Sequence, residues 1–173
     1  MTIQGAPIVS NAFRECLIDV YRGEVAGEGF FGGLLGMVDY VQQRYIVGSM
    51  LQFETEGKAI IRPLLMRLGL SMLEEPEVRS GGATAATAMS ALPWNERFAA
   101  LRAVVESTYL PRYLELATLV SPDEDAEAAR IAAFMGTHER AVVTVAENVL
   151  SGHSDPVDPI AALLHFPLPR PAG

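Results

Sequence analysis

The chain has 173 residues, half of them hydrophobic and a fifth charged, with a formal net charge of −8. That size suits one domain with a sizeable core, and the composition excludes a disordered or membrane-spanning chain. The acidic balance, with basic residues scattered singly, excludes nucleic acid and anionic membranes as expected partners, because both call for a basic face. Ser10 or Asn11 caps a first helix predicted over 11–36. There Phe13, Leu17, Val20, Glu24, Gly27, Phe31 and Leu34 follow the 4-3-4-3 spacing of one helical face. A second helix, predicted over 39–68, carries the stripe Val47, Met50, Glu54, Gly57, Ile61, Leu64 and Leu68. Asp39 is its expected cap, Gly69 follows its end, and Pro63 inside it predicts a kink. Residues 70–92 contain Gly81-Gly82, Pro76 and many small side chains, and read as a long connecting segment. A third helix begins near Pro93–Asn95 and runs to about 120, with Pro111 inside it. The fourth opens on "SPDE": Ser121 is the N-cap, Pro122 sits at N1, and Glu124 at N3 completes a capping box. It closes near Ser151–Gly152. A short helix follows at "DPIAALLHF", and the tail "PLPRPAG" should be extended.

Connection lengths then constrain topology. The first and third connections are short, so each joins an antiparallel hairpin; the second is far longer than usual and can run the length of a bundle. The expected fold is all-α, an antiparallel four-helix bundle of two hairpins joined by a long crossover, plus a short C-terminal helix. The whole chain, 1–173, forms one domain, with its core over 11–151, the crossover over 70–92 and an extension over 153–173. Cys16 is the only cysteine, which rules out an internal disulfide and suits a reducing, cytoplasmic compartment. The first sixteen residues lack the basic stretch and apolar core of a signal peptide.

The stripes also carry ionisable groups. The first holds Glu24, with Glu28 one turn on; the second holds Glu54. On the third, Glu106 falls among Ala99, Ala103, Leu110, Tyr113 and Ala117. On the fourth, His138 lies with Ile131, Met135, Val142, Val145 and Val149, and Glu139 stands at the margin. An unpaired charge inside such a bundle costs several kcal/mol, so each group needs a partner, a proton, a metal or a solvated face. Carboxylates and imidazoles converging from facing helices suit iron or manganese. Bland alternatives stand beside this: Glu54 has Lys58 at i+4, Glu106 has Arg102 at i−4, and Glu139 can reach Arg62 or Arg112. His138 can be a satisfied core residue. Tyr21, Tyr109 and Tyr113 either border a site or are core-edge aromatics. "GEVAGEGFFGGLLG", with six glycines in fourteen residues, reads as close backbone packing or as room for a ligand.

At these positions the chain resembles the ferritin-like superfamily of carboxylate-bridged dimetal proteins. The family pattern is Glu on the first helix, Glu-x-x-His on the second, Glu on the third and Glu-x-x-His on the fourth. Glu24, Glu54, Glu106 and His138 match four of the six positions, and the resemblance covers residues 11–151. Gly57 stands at the second-helix histidine and Met135 at the fourth-helix glutamate, with Glu28 and Glu139 as candidate substitutes. The resemblance implies a metal site of Glu24, Glu28, Glu54, Glu106, His138 and Glu139, holding iron or manganese for oxygen-dependent oxidation or metal handling. The alternative is a metal-free bundle, dimerising or binding a small molecule.

Overall fold

The computed structural model describes residues 9–172. The first eight residues, which open the stretch lacking a signal-peptide pattern, and Gly173 at the end of the proline-alternating tail lie outside the described residues. The chain forms α1 (Asn11–Leu35), α2 (Val41–Arg67), α3 (Pro76–Ser90), α4 (Trp94–Val104), a π-helical turn (Val105–Tyr109), α5 (Leu110–Thr118), α6 (Pro122–Leu150) and α7 (Asp158–Ala161). The protein is all-α, with no strand among the described residues. No helix among them is long and apolar enough to cross a membrane.

Local chemistry accounts for the helix starts. The Ser10 hydroxyl accepts from the Phe13 amide at 3.1 Å, satisfying one of the otherwise unpaired amides at the start of α1. At α6 the capping box is complete: Ser121 Oγ accepts from the Glu124 amide, and the Glu124 carboxylate accepts from the Ser121 amide. α2 starts after Tyr40 rather than Asp39, without a side-chain cap.

Cross-helix contacts fix the directions. Gly48 faces Leu35, Gly32 faces Leu51, and Arg14 donates to the Leu68 carbonyl at 2.7 Å, so α1 and α2 run antiparallel. Arg102 pairs with Glu147 at 3.0 Å and Leu114 packs on Gly136, so α4 and α5 run antiparallel to α6. Arg67 pairs with Asp125 at 2.8 Å, and His138 meets the Phe53 carbonyl, which sets α2 antiparallel to α6.

Two further features depart from the sequence reading. Residues 76–90, read as part of a connecting segment, form α3 packed along α1. Gly82 lies against the Ala26 carbonyl and the Phe30 amide, while Gly29 lies against the Arg79 carbonyl. Glycine costs a helix about 1 kcal/mol relative to alanine, yet here its missing side chain lets two backbones meet. Gly82 marks a packing seam, and the Gly-Gly pair breaks nothing. The second departure is the π-helical turn ahead of Pro111. Proline lacks an N–H and its ring crowds the carbonyl four residues back; a widened turn accommodates both.

The interior contains two apolar clusters. One gathers Phe30, Phe31, Met50, Phe53, Phe98 and Val145; the other gathers Phe13, Leu17, Leu64, Leu116, Ile131 and Met135. Between them along α1, α2 and α6 lie the buried polar residues Glu24, Glu54, His138 and Glu139. Beyond α6, α7 is only four residues long. The tail returns to α2, where the His165 and Phe166 amides donate to Glu56 at 2.6 and 2.9 Å and Leu168 covers Gly48.

Candidate metal centre

The polar layer is built by side chains that lie across glycines of facing helices. Glu24 of α1 reaches over Gly57 of α2. A β-carbon at Gly57 would fall 2.9 Å from the Glu24 carboxyl carbon and 2.9 Å from His138 Nε2. Glu54 of α2 reaches back over Gly27 of α1, where a β-carbon would fall 2.6 Å from its carboxyl carbon. Tyr113 of α5 lies on Gly23 in the same way, with ring atoms at 3.2 Å. Glu24–Gly27 and Glu54–Gly57 are thus two Glu-x-x-Gly segments, each supplying one carboxylate and one seat for the other.

Hydrogen bonds orient the group. The Tyr113 hydroxyl is 2.7 Å from Glu24 Oε1 and 3.2 Å from the Val20 carbonyl. His138 stacks on the Phe53 ring, with centroids 3.8 Å apart and planes within 9°. Its Nε2 lies 3.2 Å from the Phe53 carbonyl and 3.5 Å from Glu24 Oε2. A carbonyl only accepts, so Nε2 carries the proton and Nδ1 keeps its lone pair. Nδ1 lies 4.0 Å from Glu139 Oε2. One ligand atom each from Glu24, His138 and Glu139 fall within 4.8 Å of one another. Glu24 Oε2 and His138 Nδ1 are buried without a hydrogen-bond partner.

Burial dominates the electrostatics, because each charged form loses its hydration. Burial and then the Glu139 charge raise the Glu24 carboxyl well above its ordinary range, against the opposing Tyr113 hydrogen bond. Burial followed by the charges of Glu24, Glu139 and Glu28 does the same to Glu54. Burial pushes Glu139 up to about 8 and pushes His138 down to about 4, the latter opposed by the Phe53 carbonyl. Among the described residues, no lysine or arginine forms an ion pair with Glu24, Glu54 or Glu139. Three carboxyls and a neutral imidazole therefore share one enclosure.

The sequence candidates divide into two groups. Glu24, Glu54, His138 and Glu139 are buried in this layer, and Glu139, read as marginal, faces inward. Glu28 and Glu106 lie elsewhere. Glu28 accepts from Thr55 at 2.7 Å, from Lys58 at 2.5 Å and from Arg79. Burial raises its carboxyl, but these donors outweigh it and hold it below the ordinary range. Glu106 is exposed on the π-helical turn and pairs with Arg102 at 3.1 Å. The helix face it was placed on loses phase at that turn: the buried residues are Phe98, Leu101, Val105, Tyr113 and Leu116. Tyr113, read as either a core-edge aromatic or a site neighbour, occupies the centre in place of Glu106.

The expected cation partners are engaged elsewhere. Lys58 pairs with Glu28 and Glu74, not Glu54. Arg62 pairs with Glu74, and Arg112 pairs with Asp19 and Glu115, so neither reaches Glu139. Met135, at the family's fourth-helix glutamate position, is buried in the second apolar cluster. The Gly57 seat was legible in the sequence, because the Glu-x-x-Gly pattern occurs on both α1 and α2. No protein-family model, curated protein or solved structure matches this chain.

Proposed function

We propose that the chain is a ferritin-like four-helix bundle whose polar layer binds a transition-metal ion through Glu24, His138 and Glu139, with Glu54 as a further carboxylate. α3 is then a helical crossover laid outside the bundle. The observation that carries this reading is that two buried atoms within the layer, Glu24 Oε2 and His138 Nδ1, have no hydrogen-bond partner. Such atoms are costly unless something binds them. An imidazole nitrogen with carboxylate oxygens suits iron or manganese, and the carboxylates match the charge of a divalent cation. A bound redox-active ion would supply one-electron chemistry with oxygen.

The chain's own residues have defined tasks in this reading. Tyr113 holds Oε1 of Glu24 and leaves Oε2 to bind. The Phe53 carbonyl fixes the imidazole tautomer and the Phe53 ring fixes its plane, as groups behind a metal-bound histidine do. The apolar clusters on either side exclude water. Gly57, at the family's histidine position, makes room for Glu24 and His138.

The test is elemental analysis of protein purified without chelator, followed by titration of Mn(II) and Fe(II) into wild type, Glu24→Gln and Glu139→Gln. Wild type should bind one equivalent. At a hundredfold excess over Kd, metal should raise its unfolding free energy by about 2.7 kcal/mol. Both variants should lose most of that gain. Less than roughly a tenth of an equivalent bound, with no stabilisation, leaves the metal-free bundle as the function.

A further inference from the structure

A cavity of about 310 Å³ lies between α1, α3, the α4–α5 segment and α6. Its rim is exposed and comes from α3 and α4, at Glu77, Gly81, Ala85 and Val104. Its walls are apolar, with Phe30, Phe31, Met89, Leu101 and Val142 among them. Its inner end is formed by Glu54, Glu139, Tyr109 and Tyr113. Small residues keep it open: a β-carbon at Gly81 would meet nothing within 4 Å. The volume is about twice that of an apolar cavity of ~150 Å³ that accepts benzene, which allows about a dozen carbon atoms. No lysine or arginine lines it, while carboxylates stand at both the rim and the inner end. An anionic head group would pass the Glu77 carboxyl at the rim and find no cation at the inner end, with nothing to offset its lost hydration.

We propose that this cavity is a binding site for an uncharged molecule with an alkyl or aryl body of up to about a dozen carbons. The apolar walls take the body, and the hydroxyls and carboxyls of the inner end hydrogen-bond a polar head. Binding rests on the cavity alone; that the head, beside Glu54 and Glu139, also faces a bound metal rests on the function proposed above. A cavity that is apolar along its walls and polar at one end selects both composition and direction.

The experiment titrates 1-octanol and sodium octanoate into the metal-free full chain by calorimetry, with Ala85→Trp and Val104→Trp as variants. Both substitutions fill the cavity from exposed rim positions, one on α3 and one on α4, and circular dichroism confirms that each variant is folded. Octanol should bind one to one, at least about tenfold tighter than octanoate, and each tryptophan should weaken it at least about tenfold. Equal or tighter binding of octanoate, absence of octanol binding, or unchanged affinity in both variants overturns the proposal. With Mn(II) added, the octanol methylene beside the hydroxyl should broaden more than the terminal methyl in proton spectra. Equal broadening of the two, or a reversed order, overturns the orientation. Octanol binding without Mn(II) binding removes the metal reading and leaves the cavity proposal standing.

Discussion

Gly57→Ala separates the polar layer from ordinary helix energetics. Alanine in a helix interior is favoured over glycine by about 1 kcal/mol, so on propensity alone the substitution stabilises α2. The structure reverses the sign. The new methyl would sit 2.9 Å from the Glu24 carboxyl carbon and 2.9 Å from His138 Nε2, and would overlap Glu24 Oε2. Both side chains are fully buried, and neither lines the cavity. Overpacking of this kind costs about 1–3 kcal/mol, leaving a net loss of up to about 2 kcal/mol. Displacing Glu24 and His138 should also weaken Mn(II) binding at least about tenfold, as disturbing the support of metal ligands does. Gly81→Ala, on the exposed face of α3 with nothing within 4 Å, is the matched control and should gain stability. Urea denaturation of both variants, with and without Mn(II), reads both effects. Equal stabilisation in the two variants, with metal affinity unchanged at Gly57→Ala, would refute the proposed seating of Glu24 and His138.

Two further predictions concern charged groups outside the layer. Burial raises the Glu74 carboxyl, but hydrogen bonds from Arg79 and Lys58 outweigh it and hold it at about 2, below its ordinary 4.5. A carboxyl depressed on folding contributes stability that is present above 4.5 and is lost as pH falls through 2. The urea midpoint should therefore drop between pH 4.5 and 2, and Glu74→Gln should flatten that drop; identical slopes would show that the Lys58 network does not set the acid limit. Glu106→Gln changes an exposed, Arg102-paired carboxylate. It should alter stability by less than about 0.5 kcal/mol and leave Mn(II) affinity unchanged, whereas loss of metal binding would return Glu106 to the site.

Legibility in the sequence varied by helix. The stripes on α1, α2 and α6 were readable almost residue by residue, because a 3.6-residue period persists wherever the helix is regular. Leu17, Val20 and Glu24, then Met50, Glu54 and Ile61, then Ile131, His138 and Val142 are all buried. The third helix was misread because the π-helical turn inserts a phase shift that periodicity cannot anticipate. Glu106 leaves the buried face for that reason, whereas Tyr113, on the predicted stripe, takes its place at the centre through Gly23 and the Glu24 carboxyl, contacts that periodicity does not carry. α3 is not legible because Gly81-Gly82 signals a break locally, and only the neighbouring α1 backbone turns Gly82 into a seam. Glu28 and Lys58 needed Glu74 and Arg79, distant in sequence, before their partners could be identified.

The two Glu-x-x-Gly segments also act on the fold. Apolar stripes are nearly interchangeable from turn to turn, so a helix pair matched only by such stripes could slide by one turn at modest cost. The glutamate seats forbid that. One turn away from Gly57 on α2 are Phe53 and Ile61, and one turn away from Gly27 on α1 are Gly23 and Phe31. Gly23 already carries Tyr113, and the other three are bulky and buried. A shifted alignment would drive a carboxylate into an apolar cluster, at a cost of several kcal/mol. Two glutamates and two glycines thus act as a reciprocal key that fixes the register of α1 against α2 and rejects alignments the apolar faces alone would tolerate.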